Sequence, residues 1–237
     1  MPSISNDNNL YPYEAKYVCA LDESEPCQEY LSNVVNINGE GWPIALTKSG
    51  DVLFLSKTES GDTYLPVLLC DSHLGLGVDN CEEMYQNVVT IFGGKNTYAL
   101  REDGKVISWG ANTNGELGQG NITYNSFEDT KPGLVCADYN SKCNNYLDNV
   151  VDIIQVNSPY HGYTIFLNQD GDIFASGTLP EKIFSMTDLP FNLSMRSLYP
   201  VKINGLKFNN LKDIIGDFDD IYYLDNNKIL HGIDGQW

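Results

Sequence analysis

Six cysteines supply the redox chemistry of this chain, and they fall into three pairs that are close in sequence. The pairs are Cys19 with Cys27, Cys70 with Cys81, and Cys136 with Cys143. Zinc-binding knuckles place two cysteines only about two to four residues apart, and each pair here is more widely spaced. We therefore predict three local disulfides, which indicate an oxidising compartment.

The other reactive side chains form no catalytic or metal-binding pattern. His73, His161 and His231 lie in different parts of the chain, without a nearby cysteine or carboxylate at metal-ligand spacing. No G-x-S-x-G, H-E-x-x-H or P-loop sequence is present. We predict no catalytic residues, no cofactor and no metal site, and we expect that the protein is not an enzyme.

The charge of the chain narrows the class of partner. Fourteen basic and 32 acidic residues give a formal net charge of -18, which repels the phosphates of nucleic acid and anionic membrane surfaces. No apolar run approaches the roughly 20 residues that span a bilayer, so no direct membrane insertion is predicted. The acidic cluster Asp217, Asp219 and Asp220 is interpreted as a solvated edge. Calcium binding there stays open, because carboxylates are calcium ligands.

The first residues of the chain carry neither a basic patch nor an apolar stretch, so they do not resemble a signal peptide. A secreted protein of this sequence would then be an excised mature domain.

A repeated phrase places the cysteine pairs in a regular architecture. Asn-Val-Val occurs at residues 33, 87 and 149, six residues after the second cysteine of each pair, and a weaker copy without cysteines begins at Asn210. In each of these four repeats, apolar strands flank a turn. The turn residues are Gly50, Gly104, Gly171 and, in the weak copy, Asn227. Asn227 is expected to replace glycine at a positive φ.

Short strands in units of about 40 to 60 residues are typical of β-propeller blades. We predict a single repeat domain over 1–237, all-β and β-propeller-like, with about four blade units. Residues 11–32 are a candidate for completing the last blade, a helical turn is expected only at residues 79–86, and a β-sandwich is the main alternative.

One stretch, residues 93–120, closely resembles the repeat of the regulator of chromosome condensation family. The matching positions are Gly93, Gly94, Asp103, Gly104, Trp109, Gly110, Leu117 and Gly118, and Glu116 stands where the family usually has glutamine. The resemblance implies that Trp109 packs between blades. Family members usually close seven blades, so about four blades form either a small closed ring or an arc of a larger propeller. The cysteine-bearing insertions look like those of bacterial secreted or surface members.

This resemblance, with strands that agree and loops that differ between the repeats, favours a non-catalytic extracellular binding module, such as a domain of an adhesin, a pilus or another surface protein. The alternatives are a secreted propeller that inhibits an enzyme and a carbohydrate-binding propeller. The family's nuclear member acts on a small GTPase and touches chromatin, and this acidic chain lacks the charge for DNA.

The expected partner is a protein or glycan on another surface, with no nucleic acid involved. The expected location is extracellular, at the cell surface or periplasmic, and the chain is either a homo-oligomer or part of a larger parent chain. We expect binding at the loops that differ most between the repeats. These are the Cys70–Cys81 insertion, the Ser158–Gly162 insertion and the segment Leu179–Ser197. The candidate contact residues are Trp42, Tyr160, His161, Phe184 and Phe191.

Overall fold

The computed structural model of the protein describes residues 18–20, 28–39, 43–57, 64–68, 87–93, 96–124, 132–140, 142–157, 162–190, 195–207, 211–217, 220–225 and 227–233. Nearly all of its regular structure is antiparallel β-sheet, as predicted.

Four sheets follow one another along the chain, and in each the strands pair in chain order. Sheet I contains β1 (Val34–Asn38), β2 (Ile44–Thr47), β3 (Val52–Lys57) and β4 (Tyr64–Leu68). Sheet II contains β5 (Val88–Phe92), β6 (Asn96–Arg101), β7 (Val106–Gly110) and β8 (Gly133–Leu134). Sheet III contains β9 (Val150–Asn157), β10 (Gly162–Asn168), β11 (Asp172–Thr178) and β12 (Arg196–Lys207). Sheet IV contains β13 (Leu211–Asp217), β14 (Asp220–Asp225) and β15 (Leu230–Ile233).

The repeated asparagine has a backbone role that explains its residue type. Asn33, Asn87 and Asn149 have φ values of 60°, 59° and 55°, a left-handed conformation that asparagine tolerates better than most residues. In each case the asparagine carbonyl accepts a 2.8 Å hydrogen bond from a backbone N–H in the following hairpin turn. The donors are Lys48, Glu102 and Gln169. The repeated asparagine therefore links the start of each first strand to the turn between the second and third strands.

The turn glycines adopt the conformation expected of them in three sheets. Gly50, Gly104 and Gly171 have φ values of 90°, 75° and 77°. In the turn of sheet IV the residue with positive φ among those described is Lys228, at 63°, rather than Asn227. The prediction that Asn227 takes the place of the glycine is therefore wrong by one residue. The reason is an extra residue between the first and second strands, since Leu211 pairs with Asp225, 14 residues on, whereas Val34 and Val88 pair with residues 13 on.

A β-bulge follows the first residue of the first strand in all four sheets. The register shifts leave Val35, Val89, Val151 and Lys212 without a direct cross-strand partner. A bulge inserts one extra residue into a strand and increases its local twist. The same irregularity at Lys212 shows that the weak fourth copy follows the geometry of the other three.

The hydrophobic core is divided into three clusters, and each lies between two consecutive sheets. Ile44, Leu46 and Val52 of sheet I pack with Val88 and Ile91 of sheet II. A second cluster joins sheets II and III, and a third joins sheets III and IV. Among the described residues, no hydrophobic cluster joins sheet IV to sheet I. Stacking of this kind buries both faces of an inner sheet, as propeller blades require.

One helix was not expected from the sequence. The short helix α1 (Glu181–Ser185) buries Ile183 and Phe184 against the cluster between sheets III and IV. Leu179 is also fully buried there. The helical turn predicted at 79–86 lies outside the described residues.

Candidate protein-binding surface

One end of the molecule gathers the repeated features of all the sheets, and we call it the turn end. Each first strand begins there, and antiparallel pairing brings the turn between the second and third strands to the same end. The turn end is defined by the bulges at Val35, Val89 and Val151 and by the turns at 48–51, 102–105 and 169–172. The opposite end carries the links between first and second strands, and we call it the loop end.

The three bulged valines are exposed on the turn end. Their side chains are 60%, 52% and 44% exposed at Val35, Val89 and Val151, whereas the preceding valines of sheets II and III, Val88 and Val150, are buried. A strand residue that a bulge removes from regular pairing is re-aimed relative to the sheet. Equivalent apolar side chains therefore face solvent in three consecutive sheets.

The turns around these valines are acidic, like the chain as a whole, but part of their charge is paired. Residues 48–51, 102–105 and 169–172 contain two lysines and five carboxylates, namely Lys48, Lys105, Asp51, Glu102, Asp103, Asp170 and Asp172. Asp103 forms ion pairs of 3.2 Å with both Arg101 and Lys105. Desolvation by itself would raise the pKa of Asp103, but hydrogen bonds from the Lys105 backbone and from the Arg101 and Lys105 side chains, with the charge of Arg101, together lower it. Asp172 is likewise paired with Lys202 at 2.8 Å.

The cysteine insertions before sheets I and III share one backbone arrangement. Leu147 N–H donates to the Val135 carbonyl, and Ala137 N–H donates to the Asn145 carbonyl. The corresponding bonds before sheet I run from Leu31 to Val18 and from Ala20 to Glu29. In both insertions the first cysteine forms a β-bridge with a tyrosine, as in Cys19 with Tyr30 and Cys136 with Tyr146.

The predicted disulfide between Cys136 and Cys143 is confirmed, with their Cα atoms 4.6 Å apart. Cys19 is also disulfide-bonded. Its predicted partner Cys27, together with Cys70 and Cys81, lies outside the described residues, so those two pairings stay predictions.

The residues of the repeat phrase contact neighbouring sheets. Trp109 is fully buried in the cluster between sheets I and II, which confirms its packing role. Leu117 is fully buried between sheets II and III. Gly118 has a φ of 66°, and a Cβ there would lie 3.1 Å from Val135. Gly110 has a φ of 108°, and a Cβ on Gly93 would lie 2.6 Å from the backbone nitrogen of Gly39 in sheet I. Gly94 lies outside the described residues.

Glu116 is buried where the loop after β7 contacts sheet III. Its carboxylate accepts hydrogen bonds from the Asn114 backbone at 2.8 Å and from the Asn114 amide at 2.9 Å. Its backbone carbonyl accepts bonds of 2.9 Å from the hydroxyls of Tyr98 and Ser176. Desolvation raises the pKa of Glu116, and hydrogen bonds from its own backbone and from Asn114 only partly offset it. This cluster of polar groups fastens sheet II to sheet III.

The structure corrects one of the predicted contact residues and leaves the others undescribed. Phe184 is only 3% exposed, so the prediction that it is a binding contact is wrong. The reason is that α1 turns the ring toward the cluster between sheets III and IV. Trp42, Tyr160, His161 and Phe191 lie outside the described residues.

The question of metal ions is answered for part of the chain. Among the residues that the structure describes, no three His, Cys, Asp or Glu side chains are close enough to hold a metal ion. Asp219 is not among them, so calcium binding at the acidic cluster stays open. Within the same residues, no helix has the length and apolar character needed to cross a membrane.

A family sequence model described as the regulator of chromosome condensation (RCC1) repeat matches residues 92–116. These residues run from the end of β5 through the Asp103-Gly104 turn and Trp109 to Glu116. This stretch is similar to an RCC1 repeat. No curated protein matches the chain by sequence.

Solved structures of RCC1 proteins share the fold of this chain. The crystal structure of Kap60 bound to yeast RCC1 (Prp20) superposes with a TM-score of 0.54 at 20% identity, covering 85% of this chain and 43% of that one. Prp20p from Saccharomyces cerevisiae gives a TM-score of 0.52 at 18% identity, with 90% and 47% covered. Human WBSCR16 gives 0.54 at 16% identity, with 92% and 54% covered. This chain therefore spans about half the length of these propellers.

Proposed function

We propose that this protein is a non-catalytic binding module that recognises a protein partner through the turn end of its RCC1-type propeller. The observation that carries the proposal is the threefold exposure of an equivalent valine at Val35, Val89 and Val151. Exposed apolar side chains that recur at one position form a candidate interaction surface, whereas scattered ones need no explanation.

The charge around these valines supports a protein partner. The chain as a whole is strongly acidic, with a net charge of -18, and repels acidic partners. At the turn end, Asp103 and Asp172 are paired with Arg101, Lys105 and Lys202. An apolar centre with a polar, charge-paired rim is the usual composition of a protein interface. The acidic remainder of the surface favours a partner whose own rim is basic.

Two of the similar structures agree with a binding role for this fold. Prp20p has binding properties to Gsp1p and histones, and yeast RCC1 (Prp20) was solved bound to Kap60. Those partners belong to those proteins. They support the proposal only in that a protein of this fold binds other proteins.

The disulfides support a location outside the reducing cytosol, as part of the same proposal. Cys136 is bonded to Cys143 and Cys19 is also bonded, and such bridges are rare in reducing compartments. The role we propose is therefore that of an extracellular or cell-surface domain in adhesion or attachment.

The test compares two variants for binding to immobilised cell-surface and matrix proteins and to a glycan array. Lysine at Val35, Val89 and Val151 removes the apolar surface of the turn end. The control is Tyr124→Lys, because Tyr124 is 77% exposed and follows the third strand of sheet II, at the loop end. We expect the triple variant to lose protein binding and the control to keep it. Equal binding by the triple variant, or binding to glycans alone, would contradict the proposal.

A further inference from the structure

The packing between consecutive sheets uses the same positions each time. An apolar residue at the start of the third strand, Val52, Val106 or Ile173, faces the next sheet and is at most 2% exposed. From the next sheet, the first residue of the first strand packs against it, as Val88 and Val150 do at 5% and 3% exposure. We call the side of a sheet that faces the next sheet along the chain its trailing side, and the side that faces the previous sheet its leading side.

The leading side of sheet I is exposed at its first strand. Val34 occupies the position of Val88 and is 38% exposed. Ile37, opposite Ala45 in the register as Ile91 is opposite Ala99, is 71% exposed, whereas Ile91 is 2% exposed. Farther out on this face, Ala45 and Leu53 are buried, so the exposed patch is confined to β1.

The trailing side of sheet IV is exposed in the same way. Leu230 pairs with Leu224 as Val106 pairs with Leu100, so Leu230 occupies the position of Val106. Leu230 is 67% exposed, against 1% for Val106. The two ends of the row of sheets therefore expose complementary halves of one repeated interface.

We propose that sheet IV of one copy of this chain packs against sheet I of a second copy, with Leu230 against Val34 and Ile37. The positions are those that already bury one another between sheets I and II and between sheets II and III. A second copy supplies the missing half of each exposed contact, because Leu230 occupies the position of Val106 and Val34 occupies that of Val88. Two copies joined head to tail at both ends close one ring, whereas a head-to-tail contact that does not close produces filaments.

Salt affects this association in a direction that the sequence sets. Each copy carries a net charge of -18, so the two copies repel at low ionic strength. The contact itself is apolar and is not weakened by screening. Dimerisation should therefore strengthen as sodium chloride is added.

The experiment measures the mass of the full chain in solution by light scattering after size exclusion, across a series of salt concentrations. We expect twice the 26.4 kDa of one chain at moderate salt. Ile37→Lys and Leu230→Glu should each give monomers, because each places a charge in both interfaces of the ring. Tyr124→Lys is the control, since Tyr124 is exposed and follows the third strand of sheet II, outside the proposed contact.

Mixing the two charged variants separates a head-to-tail ring from other dimers. In the mixed pair one interface has its native residues and the other places the introduced lysine against the introduced glutamate, so a dimer should form again. A monomeric native chain at every salt and protein concentration would overturn the proposal, as would dimers of the single variants or a mixture that stays monomeric. A cross-link between Ile37→Cys and Leu230→Cys within one chain would show that the chain closes on itself, which also overturns it.

Discussion

The backbone N–H of Val150 donates a 3.0 Å hydrogen bond to the carbonyl of Gly104, so the hairpin turn of sheet II lies against the first residue of sheet III. A Cβ on Gly104 would lie 2.6 Å from the backbone nitrogen of Asn149. At Gly50, the same position in sheet I, the nearest atom would be 3.5 Å away. Both glycines have positive φ, and only Gly104 also lacks room for a side chain.

Gly104→Ala should destabilise the protein more than Gly50→Ala. Gly50→Ala only forces an alanine into a left-handed backbone conformation, which should lower the free energy of unfolding by about 1 to 2 kcal/mol. At residue 104 the new methyl group must also push the backbone of Asn149 away, which loosens sheet II from sheet III. Urea unfolding of the two variants measures the difference. Equal losses would show that the contact between the turn and Asn149 is not tight.

Asn87 should be replaceable by glycine but not by valine. Its φ is 59°, and its part in the repeated contact is its carbonyl, which accepts the N–H of Glu102. Glycine keeps that carbonyl and tolerates the angle, whereas a β-branched residue resists it. We expect Asn87→Gly to stay within about 0.5 kcal/mol of the native stability and Asn87→Val to lose about 1 to 2 kcal/mol. If thermal unfolding shows equal losses, the asparagine side chain itself is what the position requires.

Glu116→Gln should change how stability depends on pH. Desolvation raises the folded-state pKa of Glu116 above its ordinary 4.5. The protonated form is thus favoured in the folded protein. The stability that this adds is fully present below the unfolded-state pKa and is lost as pH rises through the folded-state pKa. Glutamine does not titrate, so the variant should gain stability relative to the native protein as pH rises through that window. Denaturant unfolding at several pH values tests this, and a difference that is constant with pH would contradict it.

The disulfides should join cysteines that are close in sequence. The contribution of one of them to the free energy of unfolding should be measurable. Peptide mapping without reduction should recover Cys19 with Cys27, Cys70 with Cys81 and Cys136 with Cys143. Replacing both Cys136 and Cys143 by serine opens a short loop and should cost about 2 to 3 kcal/mol of unfolding free energy. A peptide that joins cysteines of different insertions would refute the pairing.

Much of this architecture could be predicted because it depends on neighbouring residues. The Asn-Val-Val phrase, the turn glycines at 50, 104 and 171 and the pair Cys136 and Cys143 all act over short stretches of chain. Their backbone angles follow from residue type, since asparagine and glycine tolerate positive φ. The four repeats, and through them the all-β fold, were therefore visible in the sequence.

The binding surface was less visible, because exposure depends on what the rest of the fold covers. The phrase Asn-Val-Val does not say which valine faces solvent, and the bulge at Val35, Val89 and Val151 decides it. That bulge had one signal in the sequence, since two adjacent valines break the alternation of a half-buried strand.

Long-range packing also decided the features that the sequence misled us about or did not show. Phe184 lies in a segment that reads as a loop, yet α1 buries its ring between sheets III and IV. Leu230 and Val106 are both apolar residues that begin a third strand, and only the presence of a following sheet makes one buried and the other exposed. The sequence by itself determined the repeating unit, because that unit is held by local backbone geometry. The tertiary structure alone decided which apolar side chains face solvent, because burial is set by the neighbouring sheet and not by the residue.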